Sequence, residues 1–290
     1  MEFLEYQKPT SIEEVETALH TATGPVKLIA GGTDVLVQAR DGDPYKDYTF
    51  IDIYGIPGLS QITETATTLR IGAGITHAEI TASPLVQQYA GILADACNTI
   101  GSPQIRNHAT IGGNIANASP AADTLAALAV LDAALEIRCH GELRQVSIFD
   151  VIERPNRTKL NSHDLITCIL IPKLPAGCRY QFYKLGRRKA LSISRMTIAT
   201  VLQSDSDGVV RHFCMTMGAT FPRPMVFPEI NAMLLNKRPT EDDIQMVSLA
   251  LSDKIPEIAG IRPSTIYKQP VCRKLCVRIL HQLLGGEQHA

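Results

Sequence analysis

Lys27-Leu28-Ile29-Ala30-Gly31-Gly32-Thr33-Asp34-Val35-Leu36-Val37-Gln38 carries an apolar strand through two glycines into a polar cap and a short helix. Strand, glycine pair and helix start together make an anion site. Glycine lets the backbone approach a ligand, and the first-turn N–H groups, which lack carbonyl partners, point at a phosphate. Lys27 to Ala30 reads as a buried strand, with Thr33 or Asp34 as the cap. The same residues would also serve an ordinary strand-to-helix turn, and one Gly-Gly pair does not separate the two readings.

A second stretch repeats the device: Gln104-Ile105-Arg106-Asn107-His108-Ala109-Thr110-Ile111-Gly112-Gly113-Asn114-Ile115-Ala116-Asn117-Ala118-Ser119-Pro120-Ala121-Ala122-Asp123. Its small side chains leave room for a ligand. Thr110, Asn114, Asn117 and Ser119 offer hydroxyls and amides without charge, which suits a polar, already ionised cofactor. Taken alone, this stretch could equally be a buried loop whose amides are satisfied internally.

Together the two stretches resemble the FAD-binding medium subunits of molybdenum hydroxylases, the family of xanthine dehydrogenases, carbon monoxide dehydrogenases and aldehyde oxidases. Ala30 to Asp34 is similar to the family's first flavin loop, and Thr110 to Asn114 with Ala118 to Asp123 to its second. Lys184-Leu185-Gly186-Arg187-Arg188-Lys189-Ala190-Leu191-Ser192-Ile193 falls where the family has a basic stretch beside the flavin. The likeness covers essentially the whole chain. It implies an α+β fold: a PCMH-type FAD-binding domain of two subdomains over residues 1–174, then a C-terminal α+β domain, an antiparallel sheet with helices, over residues 175–290.

The resemblance also implies roles for individual residues. Lys27, Leu28, Ile29, Ala30, Gly31, Gly32, Thr33 and Asp34 would lie around the diphosphate, faced by Ala109, Thr110, Ile111, Gly112, Gly113 and Asn114, with Asn117 beside them. Asp123 would bind near the ribose or ribityl chain. Leu165 and Ile166 would pack on the cofactor, Ile100 and Gly101 would touch it, and Lys184 would approach from the second domain. Gly31 and Gly113 are expected to tolerate nothing larger than alanine, and Gly112 to be more forgiving. No covalent flavin link is expected, because His108, at the edge of the second loop, is the one histidine or cysteine there.

The implied activity is electron transfer. A molybdopterin-binding large subunit would oxidise the substrate, [2Fe–2S] clusters of a small subunit would relay electrons, and FAD here would pass them to NAD+ or another acceptor. A free-standing flavin oxidase or reductase of the same fold superfamily is the alternative, although no positioned acid or base stands out for direct catalysis. A scaffold subunit without cofactor would not need two intact glycine loops.

Bulk properties narrow the partners. The 290 residues carry a net charge of −1, and no long basic run occurs, so neither nucleic acid nor an anionic membrane is an expected partner. No stretch offers the roughly 20 apolar residues of a membrane span, and residues 1–10 lack the apolar core of a secretory signal, so the cytoplasm is the expected location. The seven cysteines are scattered and never form C-x-x-C, which fits reduced core thiols. The eight histidines show no metal-ligand spacing. Leu69-Arg70-Ile71-Gly72-Ala73-Gly74-Ile75-Thr76-His77 starts like a dinucleotide fingerprint, but His77 occupies the third glycine position, so no Rossmann unit is expected and Thr76 to Glu79 reads as a capping box.

Further local signals mark the elements. Ser11 to Glu14 is a capping box; Phe50 to Ile53 and Leu69 to Ile71 read as strands. Ser83-Pro84 caps a helix reaching Ile100, and Ser119-Pro120 repeats the device before a second one. Ser194 to Leu202 and Val209 to Met217 form a hairpin through Asp205 to Gly208. Helices follow at Met225 to Leu235, Glu241 to Lys254 and the C-terminal stretch to Leu284, with a kink or restart expected at Pro270.

Overall fold

The structure, a computed structural model, describes residues 4–40, 44–188 and 191–285. Its first unit contains β1 (Glu5–Gln7), α1 (Ile12–Thr21), β2 (Val26–Ile29), α2 (Val35–Arg40) and β3 (Thr49–Asp52). β3 lies between β1 and β2, parallel to both. All four β3 residues are buried, whereas those of β2 are half-buried. The strand expected to be buried at Lys27 to Ala30 is thus an edge strand ending at Ile29, covered on one side only. Ser11 Oγ accepts the Glu14 N–H at 3.2 Å, but the Glu14 carboxylate reaches back to the Thr10 N–H at 2.7 Å rather than to Ser11. Val15, Ala18 and Leu19 of α1 pack with Ile51 and Leu59.

The second unit runs through β4 (Ile62–Glu64), β5 (Thr68–Gly72), α3 (His77–Ala82), α4 (Pro84–Asn98), α5 (Pro103–Arg106), α6 (Ile111–Asn117), α7 (Asp123–Val130), β6 (Ala134–Cys139), β7 (Glu142–Ser147), α8 (Ile148–Val151), β8 (Ile152–Arg154), β9 (Arg157–Thr158) and β10 (Leu165–Pro172). Its main sheet is antiparallel, in the order β4-β5-β10-β6-β7. The Thr76–Glu79 capping box is present, and Ser83 with Pro84 opens α4 as the sequence suggests. Ser119-Pro120 does not open α7. The Ser119 hydroxyl accepts the Ala121 N–H at 3.3 Å and closes a separate turn, so α7 begins at Asp123.

The third unit is the antiparallel sheet β11 (Arg179–Gly186), β12 (Ser194–Ser204) and β13 (Val210–Gly218), followed by α9 (Pro228–Asn231), α10 (Glu241–Ala259) and α11 (Pro263–Gly285). Asp205 Oδ1 accepts the N–H groups of Asp207 and Val209 and shapes the β12–β13 turn, in which Gly208 has φ +76°. The helix expected over Met225 to Leu235 is a single turn, because Asn231 Oδ1 accepts the Met215 N–H and pins the chain to β13. α10 continues past Lys254, and α11 runs through Pro270 without a break. Val247, Leu251 and Ile255 share a core with Cys272, Cys276 and Ile279 along these two helices. That burial, at roughly 1.5–3 kcal/mol per large side chain, outweighs the loss of about 3 kcal/mol at one proline.

The third unit does not stand apart. Its Phe182, Ala199 and Val201 belong to the same buried cluster as Leu93, Leu128 and Ile169 of the second. Among the described residues no helix is long and apolar enough to cross a membrane.

Candidate functional site

Gly31 to Asp34 leaves the end of β2 and enters α2. Among the described residues, no acceptor takes the N–H groups of Gly31, Gly32, Thr33 or Asp34. Gly32 sits at φ +70°, in the region glycine adopts without strain. A Cβ on Gly31 would lie 1.8 Å from the His108 carbonyl oxygen, so the first glycine loop rests directly on the second. Lys27, Leu28, Ala30, Gly31, Gly32, Thr33 and Asp34 face Ala109, Thr110, Gly113, Asn114 and Asn117 across a cavity of about 110 Å³. Burial holds the Lys27 ammonium below its ordinary pKa and raises the Asp34 carboxyl, the latter opposed by an Asn117 hydrogen bond and by Lys27.

The second loop is anchored from beneath. The Gly112 N–H donates to the Ala73 carbonyl at 2.9 Å, and Thr110 Oγ1 caps α6 by accepting the Gly113 N–H at 3.1 Å. A Cβ on Gly112 would lie 2.7 Å from both Cβ and O of Ala73, whereas one on Gly113 would approach only Thr110 Oγ1, at 3.0 Å. Gly112, expected to be the forgiving position, is therefore the packed one, and Gly113 is the one that opens outward. Asn114 Oδ1 accepts the Thr124 hydroxyl, which leaves the Asn114 amide N–H groups as donors.

Beyond this cavity a cleft of about 550 Å³ continues toward the third unit, bordered by Thr33, Asp34, Ala109, Asn114 and Asn117 and then by Ile100, Gly101, Asp123 and Lys184. Asp123, 4% exposed, has both carboxylate oxygens engaged: Oδ2 accepts Lys184 Nζ at 2.7 Å and Thr99 Oγ1 at 3.3 Å, and Oδ1 accepts the Ser194 hydroxyl. Lys184 Nζ also donates to the Thr99 carbonyl at 2.9 Å. The pair lines the cleft and links α7 to β11.

Residues 2–174 match the family described as the FAD binding domain in molybdopterin dehydrogenase, and residues 181–283 match the CO dehydrogenase flavoprotein C-terminal domain. The chain belongs to the FAD-binding medium subunits of the molybdenum hydroxylases. This flavoprotein is 32% identical to the nicotinate dehydrogenase FAD-subunit of Eubacterium barkeri, over 99% of each chain. It is 31% identical to a putative xanthine dehydrogenase FAD-binding subunit of Escherichia coli K12, over 77% of this chain and 76% of the relative. Its fold matches carbon monoxide dehydrogenase from Hydrogenophaga pseudoflava with a TM-score of 0.88 at 26% identity, over 98% of each chain. The flavoprotein is an oxidoreductase subunit whose cofactor is FAD.

Some expected contacts of the flavoprotein are not brought to the cleft. Leu165 packs among α1 and β3 residues and Ile166 in the central core, both on β10; Ile111 and Gly112 are buried in the first turn of α6, and Ile29 ends β2 without bordering either space. Other residues reach the cleft without a glycine-loop signal: His77, Ser102, Ile105, Ser192, Ser194, and the exposed Leu191 and Ile193 at its rim. Lys189 and Ala190 of the same basic stretch lie outside the described residues. In the sequence His77 stands out only as the residue that breaks a dinucleotide fingerprint. It is fully buried, its Nδ1 is 3.4 Å from Cys97 Sγ, and its Nε2 has no partner among the described residues. Burial lowers its pKa to about 4. Among the described residues no three His, Cys, Asp or Glu side chains gather to hold a metal.

Proposed function

We propose that this flavoprotein is the electron outlet of a three-component hydroxylase. A molybdopterin-binding large subunit would oxidise the organic substrate, [2Fe–2S] clusters on a small subunit would relay electrons one at a time, and a pyridine nucleotide would take them away in pairs. Bound FAD supplies the conversion between one-electron and two-electron transfer.

The observation that carries the reading is the row of unclaimed N–H groups at Gly31 to Asp34, held against a second glycine loop at the mouth of a cleft. Unclaimed amides at a helix start suit a diphosphate, and Lys27 beside them adds positive charge. The amides of Asn114 and Asn117 suit the hydroxyls of a ribityl chain, and about 550 Å³ is an ordinary ligand volume. In this reading Gly31, Gly32, Thr33 and Asp34 bind the diphosphate, Thr110, Gly113, Asn114 and Asn117 orient the chain beyond it, and the Lys184–Asp123 pair closes the inner end. FAD is held without a covalent bond: His108 is exposed beside Tyr54 and borders neither space, and Cys97 is fully buried.

The test uses the purified chain loaded with FAD. Acid precipitation should release the flavin into the supernatant. NADH or NADPH should reduce an artificial dye through the bound flavin, while xanthine, nicotinate and aldehydes offered with NAD+ should not turn over. Turnover of any of these, with partner subunits excluded by mass spectrometry, would replace the outlet reading with a free-standing oxidase or reductase.

A further inference from the structure

A second, larger groove of about 910 Å³ adjoins the cleft and shares Gly101, Ser102, Lys184, Leu191 and Ser192 with it. It runs between α5 and the end of β11. Its charged lining residues are Arg106, Lys184, Arg187 and Arg188, and none of its lining residues is a carboxylate. The Lys184 charge is matched by Asp123, but among the described residues no acid pairs with any of the three arginines. Arg106 Nη1 donates to the carbonyl of Ile100 at 2.9 Å and of Gly101 at 3.3 Å, and Arg188 donates to the Leu191 carbonyl through Nε, at 3.0 Å, and through Nη2. Carbonyl partners fix the direction of a guanidinium without cancelling its charge, so three oriented or exposed cations face one concave space.

We infer that this groove is the docking site of the pyridine nucleotide and that it selects the 2′-phosphorylated form, NADP(H), over NAD(H). The inference rests on the electron-outlet reading above. The 2′-phosphorylated form adds a phosphomonoester, which arginines hold by charge-assisted hydrogen bonds and which a carboxylate in the same place would repel. Here no carboxylate is in the lining, and Arg187 and Arg188, neighbours in sequence and both exposed, border the groove, which puts positive charge where a phosphomonoester dianion would sit. Asn98, Gln104 and Tyr183 provide uncharged polar groups for the remaining sugar and base edges. An acidic surface of a protein partner would meet the same charge, but a recessed groove continuous with the cofactor cleft fits a small molecule that must reach that cofactor. In the outward direction NADP+ takes up a hydride, hence two electrons and one hydrogen nucleus, and the remaining proton leaves to solvent.

Two measurements on the FAD-loaded chain decide it. In calorimetry, 2′,5′-ADP should bind at least about tenfold more tightly than 5′-AMP and weaken as salt rises, the scale of one lost charge-assisted phosphate contact. In anaerobic mixing, NADPH should bleach the flavin at a half-saturating concentration at least about tenfold below that of NADH. Arg187→Gln with Arg188→Gln should abolish both preferences while FAD content and melting temperature stay unchanged. Equal use of the two nucleotides, or a preference for NADH, would overturn the 2′-phosphate assignment and leave the outlet reading standing. Reduction by neither, with a dithionite-reduced flavin still passing electrons to dye, would remove the pyridine nucleotide from the outlet itself. Loss of binding to an acidic partner subunit, with nucleotide affinities unchanged in the double variant, would reassign the groove to that partner.

Discussion

Gly112 and Gly113 are neighbours with opposite jobs, and the difference is set by what lies 3 Å away. An added methyl at 112 collides with Ala73 Cβ and its carbonyl oxygen, both at 2.7 Å, so Gly112→Ala should cost about 1–3 kcal/mol, read as a lowered denaturation midpoint with or without FAD. Gly113→Ala should unfold like the parent chain and reveal itself only in flavin retention after gel filtration. Equal stability losses in the two variants would contradict this division. Gly31 is similar to Gly112: the sequence suggests that it must be small for a phosphate, but the His108 carbonyl alone excludes a side chain. The pattern told where glycine is required, and not which neighbour requires it. His77 gives a second prediction at this scale. An exposed histidine takes a proton near pH 6.5, His77 in the fold only near 4, so between those values the unfolded chain binds the extra proton. Stability therefore falls as the pH drops from about 6.5 and the loss is complete below 4, amounting to about 3 kcal/mol. Urea titrations at pH 7 and pH 4.5 should show a smaller acid loss in His77→Gln than in the parent, and parallel losses would refute the assignment.

Helix ends and turns were legible where one local signal suffices. Asp205 to Gly208 contains its own hairpin chemistry, and Thr76 to Glu79 its own capping box, so both form as read. Ser119-Pro120 carries the same letters as Ser83-Pro84, yet it closes a turn, because a hydroxyl that can cap a helix can equally bond two residues on. α11 shows the converse, with tertiary packing overriding a local breaker. Pro270 is exposed and denies the Ile266 carbonyl its intrahelical donor, while Cys272, Cys276 and Ile279 remain buried against α10. Replacing it should restore the bond and remove the ring's clash with the preceding turn. Pro270→Ala is expected to stabilise the chain by about 1–3 kcal/mol, visible as a higher melting temperature. A neutral or destabilising result would show that α11 is bent to fit its neighbour and that the bend is part of the packing.

The cleft belongs to the whole molecule, since no segment of it is complete alone: the amides come from the first unit, Asn114 and Asn117 from the second, and Lys184 and Ser194 from the third. Contacts assembled this way leave no local pattern, which explains why the two glycine loops could be read and Ile105, Ser192 and Ser194 could not. Asp123 and Lys184 join the last two units through a pair whose side chains are 5% and 14% exposed. Removing one partner of such a pair strands the other charge, which costs about 3–5 kcal/mol, whereas replacing both with groups of similar size is close to neutral. Asp123→Asn should therefore destabilise the chain, and Asp123→Asn combined with Lys184→Met should recover most of the loss in denaturant titrations. Flavin affinity measured on the same proteins separates two roles for the pair. If the double variant regains stability but still loses FAD more readily than the parent, the pair contacts the cofactor as well as joining the units. If stability and FAD affinity return together, Asp123 and Lys184 shape the cleft only by holding α7 against β11, and the carboxylate, whose two oxygens already accept Lys184, Thr99 and Ser194, is not a cofactor ligand.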